Sequence, residues 1–395
     1  MPLDGLAPAD EAGVASAVRA AHDAHEPLLV GGRGTKAGML RPVQAARSLS
    51  TRALTGLTLH APQELIVSVR AGTTVPDLEA ALDKGRQWII SEPPDLSAIL
   101  GEGTATIGGI VATNLSGPRR VAWGATRDHV MGLRAVNGVG DVLRCGGRVL
   151  KNVTGLDMCK LLAGSHGTLG VITEVTLKVL PRSESSGSVM LRGLDPVAAV
   201  AALSAALGSP YTVSGAAYVP TALAGRVTDG AGSVTLVRIE DFTPSVVYRL
   251  GRLVTDLAQF GAGTLLDDAT SQAAWRAIRD AVPLRPDGGD AVWRVSVRPS
   301  AGPGVLAVIE AAGGHGYLDW GGGLVWVAGP PSIHEIVRQA AGRGTWMVLR
   351  APEPMRAAID VVPPEAQALA AITRRVKAAM DPRGILNPGR MFAGV

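Results

Sequence analysis

The sequence predicts an α+β protein of two domains, and three observations predict it. At 395 residues the chain exceeds what one compact core of ordinary size accommodates. Period-two apolar alternation and helical runs succeed one another along its length. The 50 glycines stand above the usual share of about 7% and cluster at 31–38, 101–109, 138–147 and 164–170, where backbone must come close to something. Pro181 and the polar linker SESSG at 183–187 mark a boundary. The expected division is a first domain over 1–182, a small domain of strand and helix layers over 183–362, and a helix with an irregular tail over 363–395.

Each element has its own signal. Residues 9–25 predict an opening helix, and PLLVGG is a short strand running straight into a glycine turn. LIVSVRAG at 65–72 is a strand. TTVPDLEAALDKG follows as a helix capped by Thr74, with Asp77 three residues on and Gly85 to stop it. Strand, glycine turn and strand run from Asp128 to Arg144. In LGVITEVTLKVLP the alternation puts Val171, Thr173, Val175, Leu177 and Val179 on one face. Beyond the linker come the strand VMLRGL, the helix PVAAVAALSAALG and the strand YTVSGAAYV, and a second such unit covers about 233–350. Leu369, Ile372, Val376 and Met380 then recur at helical spacing before the irregular DPRGILNPGRMFAGV.

Bulk chemistry excludes several functions. Charged residues are 18%, apolar residues 47% and mean hydropathy +0.23, which suggests apolar surface kept for a partner or a large ligand. The net charge of +4 makes no basic stripe, so no nucleic-acid partner is expected. Cys145 and Cys159 suit no zinc, iron–sulfur or disulfide spacing, so no metal site of the chain's own is expected, and a reducing compartment is. MPLDGLAPADEAG is acidic where a signal peptide is basic, and no run of about 18 apolar residues follows. The expectation is a cytoplasmic protein, peripheral at the inner membrane only through partners.

Two glycine-rich segments carry the chemistry. Gly31, Gly32, Arg33, Gly34, Thr35 and Lys36 follow the first strand, but Lys36 is misplaced for a Walker loop. Pro42 breaks the helix a Rossmann turn must open, and no acid stands at the ribose position. An anion nest of successive amides and a tight surface turn both remain open for this string. In GEGTATIGGIVATNLSG at 101–117, Gly108 and Gly109 leave backbone bare against a planar ligand. Thr106, Thr113, Asn114 and Ser116 offer polar partners there. Two such loops suit a two-ended cofactor. Arg119 and Arg120 in GPRR are candidates for pairing a substrate carboxylate, against the alternative of solvated surface arginines.

Six segments in order carry a resemblance over about half the chain: GGRGTK, TIGGIVATN, WGATRDHVMGL, GGRVLKNVTGLD, GSHGTLGVITE and DPRGILNPGRM. Together they resemble the FAD-binding domain of the p-cresol methylhydroxylase (PCMH) and vanillyl-alcohol oxidase superfamily. Within it the chain is similar to glycolate oxidase and D-lactate dehydrogenase relatives; GPRR, the short cap and LDWGGGLVW at 318–326 look most like glycolate oxidase FAD-binding subunits. The resemblance implies a PCMH-type FAD-binding domain under a small α/β cap. Gly32–Lys36 and Thr106–Ala112, with Ile107 among them, would hold the pyrophosphate and ribityl parts of FAD. Gly167, Gly170, Val171 and Ile172 would run beside its adenosine half, and Asn387 and Arg390 would return the tail to the first domain near the ring.

Departures from the family pattern add to this. Covalent relatives attach flavin through a histidine or cysteine, whereas the first loop has Thr35 and Lys36, so noncovalent FAD is implied. His166 stands where relatives commonly have an acid, and is read as a tolerated loop substitution. The paired-histidine metal site of the hydroxyacid dehydrogenases is missing, and His315 is the cap histidine in the most suggestive surroundings. The implied function is oxidation of glycolate and similar 2-hydroxy acids within a complex. A second FAD subunit would bring the substrate and metal site, and an iron–sulfur subunit would accept electrons; Arg119, Arg120 and His315 are the catalytic candidates. Two other readings stand beside it. A self-sufficient FAD-dependent D-2-hydroxyacid (D-lactate) dehydrogenase would need basic and histidine residues in the cap, and a flavin-free scaffold would have no use for bare backbone at both loops.

Overall fold

The computed structural model describes residues 5–147 and 156–395, so most of the segment GGRVLKNVTGLD lies outside the described residues. The opening helix Glu11–Ala24 begins at Asp10, whose side chain accepts from the Gly13 amide at 2.7 Å, and ends at His25 in the left-handed region (φ 56°). Its buried Val14 and Val18 pack with Leu28, Leu49, Val171 and Leu386. A three-stranded parallel sheet in the order Gly5–Leu6, Arg47–Ser50, Leu28–Gly31 adjoins this cluster. A second, six-stranded antiparallel sheet runs Leu57–Ala61, Ile66–Arg70, Val171–Pro181, Val130–Val136, Val142–Gly146, with Gln87–Ile89 paired to the far end of Val171–Pro181.

In the central strand Val171–Pro181 the five residues of the expected face are all buried; on the other, Ile172 and Thr176 are buried as well, while Glu174, Lys178 and Leu180 are half-buried. The opening helix meets one side, where Thr173 donates to Glu11 at 2.6 Å, while Ile172 joins the cluster around Ile107 and Val111. A register shift against Val130–Val136, where Arg134 pairs with Glu174 and Ala135 with Ile172, puts Ile172 in the same cluster as Val175, Leu177 and Val179.

The rest of the chain forms an eight-stranded antiparallel sheet in the order Thr264–Leu266, Ser185–Arg192, Val234–Asp241, Gly215–Val219, His315–Asp319, Leu324–Gly329, Ala291–Ser296, Thr345–Arg350. The expected polar linker is partly strand, because Ser185, Ser186 and Gly187 already pair with Asp241, Glu240 and Ile239. Small residues are needed there: a Cβ on Gly187 would lie 2.5 Å from Leu250, and Ser188 accepts from the Trp275 indole at 2.8 Å while its hydroxyl pairs with Ser271.

A buried quartet of charges joins the two sheets' domains. Arg238 pairs with Glu92 through two bonds of 3.0 and 2.9 Å, and Arg119 with Glu240 through two of 3.0 and 2.8 Å. Trp88 lies under the Arg119 guanidinium at 3.5 Å and Trp275 under that of Arg238 at 4.7 Å.

The terminal helix Gln367–Met380 departs from expectation. Leu369 and Ile372 are 51% and 55% exposed, so its apolar stripe is not core, and among its described residues Lys377 is the one buried side chain. That ammonium donates to the carbonyls of Thr168 and Leu386 and to Asp381 (2.7, 2.9 and 2.7 Å). The tail beyond pairs with the first strand, Leu28 N donating to Ile385 O at 2.7 Å.

Candidate functional site

The first strand ends at Gly31 and releases the chain into Gly32–Lys36, which crosses the start of the helix Ile107–Thr113. The approach is close: a Cβ on Gly32 would lie 2.4 Å from Thr106 Oγ1. Gly34 takes a φ of 81°, and the amides of Gly32, Arg33, Gly34, Thr35 and Lys36 donate to no acceptor among the described residues. Successive unmatched amides form a concave anion site. They border a cavity of 310 Å³, within the range of ligand cavities of roughly 300–1,000 Å³.

The cavity brings together most of the residues singled out above. Gly31 to Lys36, Thr106, Gly108, Gly109, Ala112, Thr113, Gly167, Gly170, Val171, Ile172, Asn387 and Arg390 all line it. Ile107, Asn114 and Ser116 do not. Ile107 is buried in the core, and Asn114 closes the helix in the left-handed region (φ 49°) with its Oδ1 accepting from Arg127 N at 3.0 Å. Ser116 Oγ accepts from Thr126 N at 2.9 Å. The segment 107–113 is a helix, not a loop, capped by Thr106, which accepts from Gly109 N at 3.2 Å. Its two glycines differ. A Cβ on Gly108 would meet Ala71 Cβ at 2.7 Å, so Gly108 lets the helix sit on a strand end; on Gly109 it would enter the space between Thr106 Oγ1 (3.2 Å) and Lys36 Nζ (3.9 Å).

Electrostatics in the cavity favour an anion. Lys36 Nζ makes one weak contact of 3.5 Å, to Thr35 Oγ1, and burial pushes its pKa down to about 8. Arg390 donates to the carbonyls of Lys36, Ala37 and Arg41 at 2.7, 3.2 and 3.1 Å, pinning the loop; burial, then Arg356, pushes it down to about 10. Asn387 clamps the tail, its Oδ1 accepting from Val30 N at 2.8 Å and its Nδ2 donating to His166 O at 2.8 Å. His166, with φ 52°, also faces the cavity. Burial, then the charges of Arg390 and Lys36, pushes it down to about 3, so its ring is neutral at neutral pH. An acid there would compete with a bound phosphate for Lys36 and Arg390; a neutral imidazole does not.

Sequence reasoning missed Leu29, Val30, Ala37, Ser48, Leu49, Ser50, Thr51 and Arg52 in the lining. Ser48 to Ser50 arrive because Arg47–Ser50 pairs in parallel with the first strand, and no local signal announces that pairing.

Two of the three catalytic candidates, Arg119 and His315, are engaged by partners within the protein. Arg119 is not free for a substrate carboxylate, being doubly bonded to Glu240 in the buried quartet. His315 presents Nε2 to the Leu284 carbonyl at 2.9 Å, which fixes a proton on that nitrogen, and it does not line the cavity. The other cap histidine, His334, accepts from the Trp293 indole through Nδ1 at 3.1 Å. Arg120 also lies outside the cavity, its guanidinium 4.6 Å from the Trp320 ring centroid.

Fold and cavity together define an FAD-linked oxidoreductase: residues 5–146 match the family model described as FAD binding domain. The chain is 34% identical over 371 residues, 93% of each chain, to the glycolate oxidase subunit GlcE of Escherichia coli (strain K12). It is 30% identical over 192 residues, 48% of this chain and 39% of the relative, to the glycolate oxidase subunit GlcD of Bacillus subtilis (strain 168). The structure of p-cresol methylhydroxylase with substrate bound superposes with a TM-score of 0.72 over 98% of this chain and 88% of that one, at 15% identity, which shows the shared fold. The chain belongs to the family of the glycolate oxidase subunit GlcE. The residues fit FAD: unmatched amides and Lys36 suit its pyrophosphate, and Gly109 leaves the room beside them.

Proposed function

We propose that this chain is the FAD-binding subunit of a glycolate oxidase complex acting on glycolate and similar 2-hydroxy acids. The observation that carries it is the glycine-loop cavity, lined by Gly32–Lys36 with their unmatched amides and by the half-buried Lys36 side chain. The division proposed is a flavin domain over 1–182, a cap over 183–362 and a docking helix and tail over 363–395. FAD, when bound, supplies an acceptor for a hydride equivalent. The chain's own residues bind and orient it: Gly32–Lys36 and Lys36 Nζ hold the pyrophosphate, Thr106 and Gly109 shape the helix start, and Asn387 and Arg390 fix the loops. The loop itself carries Thr35 and Lys36 where covalent relatives attach flavin through a histidine or cysteine, which supports a noncovalent cofactor.

Removal of the substrate hydroxyl proton falls to a partner in this reading. Both cap histidines are engaged in bonds within the cap, which supports a second FAD subunit carrying the substrate and metal site. An iron–sulfur subunit takes the electrons, and the membrane is reached only through these partners; among the described residues no helix is long and apolar enough to cross one. The test is steady-state oxidation of glycolate and D-lactate with a dye acceptor, comparing the FAD-loaded chain alone with the reconstituted complex. The isolated chain should turn over more than tenfold slower, a barrier difference above ~1.4 kcal/mol. Equal rates would identify a self-sufficient dehydrogenase.

A further inference from the structure

We infer that Arg120 and Arg294 form an anion site at the seam between the two domains, and that it takes the carboxylate of a small organic acid. Arg120 opens the short helix Arg120–Trp123 of the first domain. Arg294 lies on the strand Ala291–Ser296, opposite Trp326 on one neighbour and Met347 on the other. Trp320 joins them: its indole donates to Gly117 O across the seam at 3.1 Å, and the guanidiniums of Arg120 and Arg294 stand 4.6 and 4.7 Å from its ring centroid.

Neither guanidinium donates to any acceptor among the described residues, and neither has a carboxylate within 4.0 Å there. Arg294 Nη2 is shielded from solvent with no partner at all. The contrast with Arg119 and Arg238, each matched to carboxylates through two bonds, shows that this protein pairs its other interdomain arginines fully. Asp319 precedes Trp320 in the chain, but its Oδ1 accepts from Trp320 N at 2.7 Å and it pairs with neither arginine. A shielded cationic donor without an acceptor is costly, and a second cation beside it raises that cost; burial, then Arg120, pushes the Arg294 pKa down to about 10. A bound anion removes both penalties.

The chemistry of the walls selects the anion. Planar guanidinium forks match a carboxylate through paired bonds, and stacking on Trp320 holds both guanidinium planes in place for it. The pyrophosphate of FAD has its own place at Gly32–Lys36, in a separate cavity. Because the two arginines come from different domains, the acid bridges them. That the acid belongs to the 2-hydroxy class rests on the proposed function; the anion site itself does not.

The experiment is isothermal titration calorimetry of the FAD-loaded full chain with glycolate, oxalate, succinate, ethylene glycol, chloride and phosphate. Saturable binding of carboxylates is expected, with no response to ethylene glycol. Arg294→Met and Arg120→Met should each weaken it at least tenfold with flavin content unchanged; the second variant keeps the test alive if the first does not fold. Unaltered carboxylate affinity in the variants, no saturable binding of any carboxylate, or equal binding of chloride or phosphate would overturn the site. Binding of oxalate or succinate without glycolate would leave the site standing and sink the substrate reading instead.

Discussion

Lys36 concentrates the residue-scale argument. A buried ammonium with no carboxylate is a liability in the cofactor-free chain, and its pKa of about 8 lies below the ordinary 10.5. Between those values the unfolded chain binds more protons, so the stability of the cofactor-free chain should rise from pH 8 to 10.5, by up to about 3 kcal/mol. Lys36→Met should abolish that rise in denaturant titrations and weaken FAD binding by ~10–100-fold, the value of a charge-assisted bond. A pH-independent wild-type curve would contradict the burial. The two glycines of the capped helix divide likewise. Gly109→Val should lower FAD occupancy while the fold persists, since its side chain enters the cavity; Gly108→Val should destabilise the domain itself, since it meets Ala71. Sequence showed that both positions needed bare backbone. It could not show which way each Cβ would point, because that depends on the strand end beneath.

At the scale of elements, capped helices and the strand-to-glycine-turn entry were legible from local chemistry: Thr74 caps where expected, and the opening helix falls within the expected 9–25. The terminal helix was legible as a helix and misleading as packing. Its apolar stripe suggested a buried face, yet the helix is held by a lysine that satisfies two carbonyls and Asp381. Lys377→Met should cost ~3–5 kcal/mol, because Asp381 is left buried without its cation. Leu369→Ala and Ile372→Ala should change stability by no more than ~0.5 kcal/mol. Urea denaturation of the three variants checks this; a reversed order would mean the stripe is packed. Likewise SESSG looked like a linker because serine and glycine favour turns, whereas Ser185–Gly187 are already strand and Gly187 makes room for Leu250.

Across the whole molecule, the eight-stranded sheet is keyed to the segment matching the FAD binding domain by Glu92, Arg119, Arg238 and Glu240. No sequence pattern could pair residues 146 positions apart, such as Glu92 and Arg238. Although burial pushes the Glu92 carboxyl up, Arg119 and Arg238 beside it hold it down to about 2. A depressed carboxyl stabilises the folded state above its ordinary 4.5, and that contribution, about 3 kcal/mol, is lost as pH falls from 4.5 through 2. Arg238→Met should cost ~3–5 kcal/mol by leaving the buried Glu92 carboxylate without its two charge-assisted bonds, and the loss should shrink in acid as Glu92 protonates; a constant loss down to pH 3 would contradict the quartet's role.

The proposed function rests on FAD being held without a covalent bond in the cavity between the glycine loop and the capped helix. The most direct measurement is the visible spectrum of the purified full-length chain before and after acid denaturation, with chromatography of the released chromophore. The account predicts a yellow protein that releases all its flavin into the supernatant as FAD, about one per chain. A colourless chain that cannot be loaded with FAD, or colour that stays with the precipitate, would contradict it.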